Sequence, residues 1–202
     1  PVVGCIGAGN YATQVLLPAF QKTGVAFRSV ASSTGVSAAH AGSKFGFLEI
    51  TSDGRSVIES SDNNTVIIAT RHDSHAALAA EALKAGKHVF LEKPLAITRE
   101  ELTTLCQVYD ACIRQQPSSP LMMVGFNRRF APQVQRMKQL LNGVAEPKTF
   151  VMTINAGHIP RDHWTQDRLI GGGRIIGEGC HFVDLLRFLA ASPIVAVQAM
   201  SA

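Results

Sequence analysis

No apolar run in this sequence approaches the roughly 20 residues of a membrane-spanning helix, and no basic-then-apolar leader opens it. The expectation is a soluble cytoplasmic protein with no membrane partner. The cysteines Cys5, Cys106, Cys112 and Cys180 contain no CxxC pair and no cysteine–histidine spacing of a structural zinc site. They read as free thiols of a reducing compartment, and no metal is expected. Polybasic runs are missing too. The 19 lysines and arginines exceed the 15 acidic residues, giving a formal charge of +4, but their tightest clusters are Lys84 with Lys87 and Arg128 with Arg129. That is too sparse for a nucleic-acid footprint. The surplus suits a solvated surface, or the phosphates of a cofactor or an anionic substrate. Charged residues make up 17% of the chain and apolar ones 46%, which excludes a disordered polymer. Internal repeats and low-complexity tracts are absent.

What is present is an alternation of short apolar runs with helical patterns. Runs at 2–6, 26–31, 65–69, 87–91 and 121–126 read as buried strands, and 47–51 as a short, ambiguous one. Between them, 11–21, 36–45, 55–60, 74–85 and 98–115 read as helices. Thr98 with Glu101 forms a capping box before the last of these, and 116–120 is a turn. Strands alternating with helices imply a parallel sheet covered on both faces, and right-handed crossovers make it a doubly wound Rossmann fold. The rhythm changes after Phe126. A helix at 131–141, a long strand at 148–155, a polar loop, three glycines, a helix at 175–190 and a strand at 194–197 follow. The domain boundary is therefore placed between 1–126 and 127–202. The abrupt start at Pro1 and the final apolar run are expected of a fragment of a longer chain.

Gly7, Ala8, Gly9, Asn10, Tyr11 and Ala12 spell GxGxxA between the first strand and the first helix. In that context the pattern marks a dinucleotide site. Gly7 permits the tight turn, Gly9 lets backbone approach a pyrophosphate, and Ala12 lets helix pack on strand. The second strand ends in Ser32, Ser33 and Thr34, where an acid would hold the ribose of NAD. Hydroxyls accept a 2′-phosphate, so NAD and NADP both stay open with a lean to NADP, Arg28 or Lys44 being the nearest cations.

Further blocks carry a resemblance. Thr70, Arg71, His72, Asp73, Ser74 and His75 close the fourth strand, and residues 85–96 read AGKHVFLEKPLA. Residues 124–130 read VGFNRRF, and Gly171, Gly172 and Gly173 run on to His181 and Asp184. In this order the blocks resemble the glucose–fructose oxidoreductase, inositol dehydrogenase and MocA (Gfo/Idh/MocA) family. The resemblance implies a Rossmann domain followed by part of a second α/β domain with a mostly antiparallel sheet. It implies an NAD(P)-dependent oxidoreductase acting on a sugar, a polyol or the matching ketone, and a homo-oligomer when full length. A weaker likeness is to the oxidoreductase half of bacterial fusion proteins that carry an alcohol-dehydrogenase-like module ahead of it.

Lys93 follows the carboxyl end of a parallel strand, where open sheets bind ligands, and is the expected donor to a substrate oxygen. His181 is the expected general acid and base, since imidazole titrates near neutrality. Glu92 either holds cofactor ribose or positions Lys93. Thr70 and His75, after the fourth strand, are expected on the cofactor, with His72 beside them. Asn127, Arg128, His163 and Trp164 are expected on the substrate, and Asp184 is expected in a structural role. One departure stands out. Where many relatives carry an Asp four residues before the histidine, this chain has Gly177. Glu178 is rotated by about 100° from it on a regular helix and reaches the site only if the helix starts late. Two other readings stay in view: a non-catalytic dinucleotide-binding module, and a methyltransferase using S-adenosylmethionine, which the missing acid and the EKP block oppose.

Overall fold

The computed structural model describes residues 1–115 and 119–200. Six parallel strands form one sheet in the order β3-β2-β1-β4-β5-β6: β1 Val2–Ile6, β2 Ala26–Ala31, β3 Glu49–Thr51, β4 Thr65–Ile68, β5 His88–Leu91 and β6 Met122–Val124. The helices are α1 Leu17–Gln21, α2 Val36–Phe45, α3 Gly54–Glu59, α4 His75–Lys84, α5 Arg99–Gln115, α6 Pro132–Leu141 and α7 Cys180–Ala190. Strand order reverses at β1, whose neighbours are β2 and β4. That switch point leaves a crevice beyond the strands' carboxyl ends, as expected of the Rossmann fold.

The two-residue period of the strands assigns each side chain to a face. Ile6, Ala31, Val66, Ile68, Val89 and Leu91 join Val57, Ile58, Ala76, Ala79, Ala82, Leu83 and Leu105 in one core. Val3, Cys5, Val30 and Ile67 point the other way, into a core with Leu16, Leu17, Ala38, Ala41, Phe45 and Phe47. Each large aliphatic side chain so buried contributes about 1.5–3 kcal/mol. Both faces are covered, which is why these strands read as continuous apolar runs. The capping box forms as expected: Thr98 Oγ1 accepts from the Glu101 amide at 3.1 Å, and Glu101 Oε2 accepts from the Thr98 amide at 3.1 Å.

Several basic residues have structural partners. Lys87 donates to the carbonyls of Ser60 and Asn63, Arg28 pairs with Glu49 and Asp62, and Arg129 pairs with Asp184. Two expectations change and one falls outside the described residues. Residues 47–51 give only Glu49–Thr51 as strand, because Phe47 turns into the core. The turn expected over 116–120 lies at 116–118 outside the described residues. Residues 148–155 and 194–197 join no ladder, so the described residues contain only the parallel sheet and not the expected antiparallel one. A strand needs a neighbour for its amides and carbonyls, and apolar patterning alone does not supply one. Val151, Val195 and Val197 are accordingly exposed.

Candidate active site

The crevice starts at the glycine loop. Gly7 has φ +100°, and a Cβ built on it would lie 2.3 Å from the Ala69 carbonyl oxygen. The first and fourth strands therefore approach closely only because this residue has no side chain. A Cβ on Gly9 would meet nothing within 4 Å, so its face opens on the crevice. The chain then enters a wide helical turn, Ala12–Leu16, running into α1, and Tyr11 at its N-cap makes no side-chain cap bond. Helical backbone starts at Asn10 and the Thr13 amide is bonded to the Gly9 carbonyl, so the amides ahead of Thr13 are the ones that face an anion. Beside the loop is a cavity of about 400 Å³ bordered by Asn10, Thr13, Thr34, Ser37, His40 and Lys44, among others.

At the end of β2, Ser32 Oγ and Ser37 Oγ lie 2.6 Å apart, and Thr34 Oγ1 and Ser37 Oγ 2.8 Å apart. Ser33 is exposed alongside. The sequence reading missed Ser37 and His40. Their signal was spacing: 37, 40 and 44 fall three and four apart, on one face of α2. Arg28, considered as a phosphate ligand, is held by its two carboxylates, whereas Lys44 borders the cavity.

The fourth and fifth strands supply the next wall. Thr70 Oγ1 lies 2.6 Å from Ser74 Oγ at the rim. His75 was expected on the cofactor but is 0% exposed. Its Nδ1 faces the Pro94 carbonyl at 2.7 Å and its Nε2 the Thr70 carbonyl at 3.2 Å. It braces the turn from behind, because the first turn of α4 points it under the strand ends. Burial holds its pKa below the usual imidazole range, so the neutral ring donates through one nitrogen, Nδ1 making the shorter contact. The Lys93–Pro94 bond is cis. Glu92, 9% exposed, is pushed up to about 7 by burial, against the opposing pull of the Lys93 amide and charge.

Lys93 meets the C-terminal segment. Its Nζ donates to the Gly177 carbonyl at 2.7 Å and to Glu178 Oε2 at 3.3 Å, while Arg128 donates to Glu178 Oε1 at 3.0 Å. Glu178 therefore reaches the site without the late helix start on which that expectation depended. Residues Ile175–Gly179 form a wide π-type turn inside a helix that already starts at Gly173 and continues as α7. Burial raises the Glu178 carboxyl, but Lys93, His181 and Arg128 together pull it below the usual carboxylate range. His181 is 6% exposed, and among the described residues its buried Nδ1 has no hydrogen-bond partner. Burial, then the charges of Lys93 and Arg128, lower its pKa to about 4. The ring is neutral at pH 7, with a ring nitrogen left for a polar ligand. Asp184 accepts from Arg129 Nε at 3.0 Å.

The remaining expected residues split. Asn127 Nδ2 donates to the Tyr11 hydroxyl at 3.0 Å, joining the glycine loop to the C-terminal segment. Trp164 packs edge-on against His72 with centroids 4.8 Å apart, and Arg71 lies over its ring. His72 in turn contacts the Gly171 carbonyl through Nδ1 at 2.8 Å. His163 makes local contacts, its Nδ1 2.8 Å from the Thr165 hydroxyl and its ring 6.0 Å from that of Trp164.

Comparison with known proteins gives a concordant result. The sequence model of the Gfo/Idh/MocA oxidoreductase family, described as an NAD-binding Rossmann fold, matches residues 2–112. Levoglucosan dehydrogenase of Pseudarthrobacter phenanthrenivorans is 35% identical over 75% of this chain and 39% of its own. Inositol 2-dehydrogenase 2 of Saccharopolyspora erythraea is 31% identical over 73% of this chain and 41% of its own. The chain thus spans about two fifths of the length of these curated relatives. Among solved structures, a levoglucosan dehydrogenase complex with NADH and levoglucosan superposes with TM-score 0.75 at 27% identity, covering 94% of this chain and 53% of that one. KijD10, a 3-ketoreductase from Actinomadura kijaniata solved with NADP and TDP-benzene, gives TM-score 0.74 over 94% of this chain and 57% of its own; at 24% identity it supports the fold alone.

Proposed function

The chain belongs to the Gfo/Idh/MocA oxidoreductase family, and from that premise we propose that it transfers hydride between a nicotinamide dinucleotide and a sugar, polyol or related hydroxyl or ketone. The observation that carries this reading is the meeting of Lys93 Nζ with a carboxylate near the partnerless Nδ1 of His181, at the strand ends in front of an open glycine loop. The loop fits the cofactor: Gly9 leaves room where a pyrophosphate approaches, and the uncapped helix start offers amides to it. Ser32, Thr34, Ser37 and Lys44 offer hydroxyls and a charge for a 2′-phosphate, which favours NADP. Asn10, Tyr11, Thr70 and Glu92 line the path from that end to Lys93.

When bound, the nicotinamide supplies the acceptor or donor of hydride. Lys93 Nζ donates a hydrogen bond to the substrate oxygen and stabilises negative charge there as the C–H bond breaks. His181 Nδ1 takes the hydroxyl proton in oxidation and returns it in reduction. Its depressed pKa keeps it neutral and ready to accept. Arg128, Asn127 and Trp164 border the substrate side. Residues 1–126 are the cofactor-binding unit and 127–202 the substrate-side unit, whose exposed 148–155 and 194–197 segments support assembly with further strands, in homo-oligomers or elsewhere. Four free thiols fit a reducing cytoplasm.

The test is cofactor reduction by the intact protein across a panel of sugars and polyols, with Lys93→Met as control. Turnover lost in Lys93→Met while NADPH still binds supports the proposal. Cofactor binding with no turnover on any panel member favours a non-catalytic binding module.

A further inference from the structure

Beyond the sequence-expected pair of Lys93 and His181, the wide turn before α7 holds a carboxylate in the same crevice. Its backbone is specific. The Cys180 amide donates back to the Ile175 carbonyl, five residues away, which is the π-type closure. Gly177 lies inside this turn, and a Cβ there would fall 2.9 Å from the Gly171 carbonyl oxygen and 3.2 Å from His72 Cε1. No side chain fits at 177 without moving backbone. The lack of one brings the Gly177 carbonyl to 2.7 Å from Lys93 Nζ. The next residue, Glu178, then projects its carboxylate between two cations: Oε2 to Lys93 and Oε1 to Arg128. Its side chain is 29% exposed and that of Lys93 17%, so the pair is shielded enough for its charge to matter.

We infer that Glu178 is the positioning residue of the site, admitted by the glycine at 177 and the π-turn, and that it holds the Lys93 side chain aimed at the substrate oxygen while fixing Arg128 beside it. This deepens the proposed function and rests on it for the identity of the substrate oxygen. The structural geometry of Lys93 does not depend on hydride transfer. The ammonium has two hydrogen-bond partners here, and its third N–H is left for a ligand. The charged groups that act on this cluster come from each element around it: Lys93 and Glu92 after β5, His72 and His75 at the start of α4, Arg128 after β6, and Glu178, Cys180 and His181 at the start of α7.

The test needs no substrate. The intact protein and its Glu178→Gln variant are treated with acetic anhydride at a series of pH values, and acetylation of Lys93 is followed by peptide mass spectrometry. Gln keeps the shape and the acceptor oxygen but removes the charge. The expected result is Lys93 acetylation about tenfold faster in Glu178→Gln at a given pH, because the side chain is no longer held against a carboxylate. Glu178→Asp is expected to restore much of the wild-type profile, and Glu146→Gln, at an exposed position, to leave it unchanged. Superimposable profiles for wild type and Glu178→Gln, with both folded by circular dichroism, overturn the inference. Calorimetric NADPH binding in the same variants separates the two readings. Loss of binding by the wild type defeats the proposed function, whereas a Lys93 profile indifferent to Glu178 defeats only this one.

Discussion

Glu92 keeps its buried carboxyl in the space that Gly125 leaves by having no side chain: a Cβ on Gly125 would lie 2.7 Å from Glu92 Oε1 and 3.2 Å from Oε2. The group ionises near 7 rather than 4.5 because burial penalises its charge. Between those values the unfolded chain is ionised and the folded one keeps the proton, so stability falls as pH rises from about 4.5 to about 7, by up to about 3 kcal/mol. His181 acts in the opposite sense. Its folded pKa of about 4 lies below the ordinary 6.5, so stability falls as pH drops from 6.5 to 4. Urea midpoints against pH check the pair. Glu92→Gln is expected to steepen the acid-side loss, and His181→Asn to leave a protein that gains stability from pH 7 down to 5. A Glu92→Gln curve parallel to wild type contradicts the assignment.

The two loop glycines separate folding from binding. Gly7→Ala places a side chain at φ +100° and against the Ala69 carbonyl, and is expected to cost about 2–4 kcal/mol in thermal or urea unfolding. Gly9→Ala meets no neighbour, so stability should change by less than about 0.5 kcal/mol. Cofactor affinity is nevertheless expected to fall at least tenfold, because the new methyl points into the pyrophosphate space. Equal losses of stability in both variants would contradict this division.

Ser37→Ala removes the hydroxyl shared by Ser32 and Thr34, and Lys44→Ala removes a cation at the cavity. Each is expected to weaken NADPH by about tenfold, as loss of a charge-assisted bond of roughly 1.5 kcal/mol does, and to change NADH by less than threefold. Fluorescence titrations with both nucleotides measure the ratio. Parallel changes for the two would remove the 2′-phosphate from this pocket.

His75→Phe keeps an aromatic ring but deletes the N–H donor, stranding the buried Pro94 carbonyl. The expected cost is about 1–3 kcal/mol in stability. The turn carrying Lys93 loosens with it, so kcat should fall more than cofactor affinity. An unchanged unfolding midpoint would show that the brace is dispensable.

The Rossmann half was legible because its signals are local: Val66 and Ile68 alternate with Ile67 between two cores, and Gly7 and Gly9 sit at a strand–helix junction. The 148–155 and 194–197 segments misled for the converse reason, since strand pairing depends on residues distant in sequence. The chemistry followed the same rule. The positions of Lys93 just after β5 and of His181 on α7 were readable from the local strand and helix patterns. The burial of His75 and the capture of Arg28 by Glu49 and Asp62 depend on contacts across the sheet. Glu178 was undecided because its reach depends on the π-turn, whose wider winding within the helix changes which side chain faces Lys93 and which no sequence period announces.

Calorimetric titration of this chain with NADH and with NADPH, separately, tests the central claim most directly. Micromolar binding, tighter for NADPH and weakened in Gly9→Ala, is the result expected if the glycine loop holds the cofactor in front of Lys93. A chain shown to be folded by circular dichroism that takes up neither nucleotide contradicts the account and leaves the family likeness as one of fold alone.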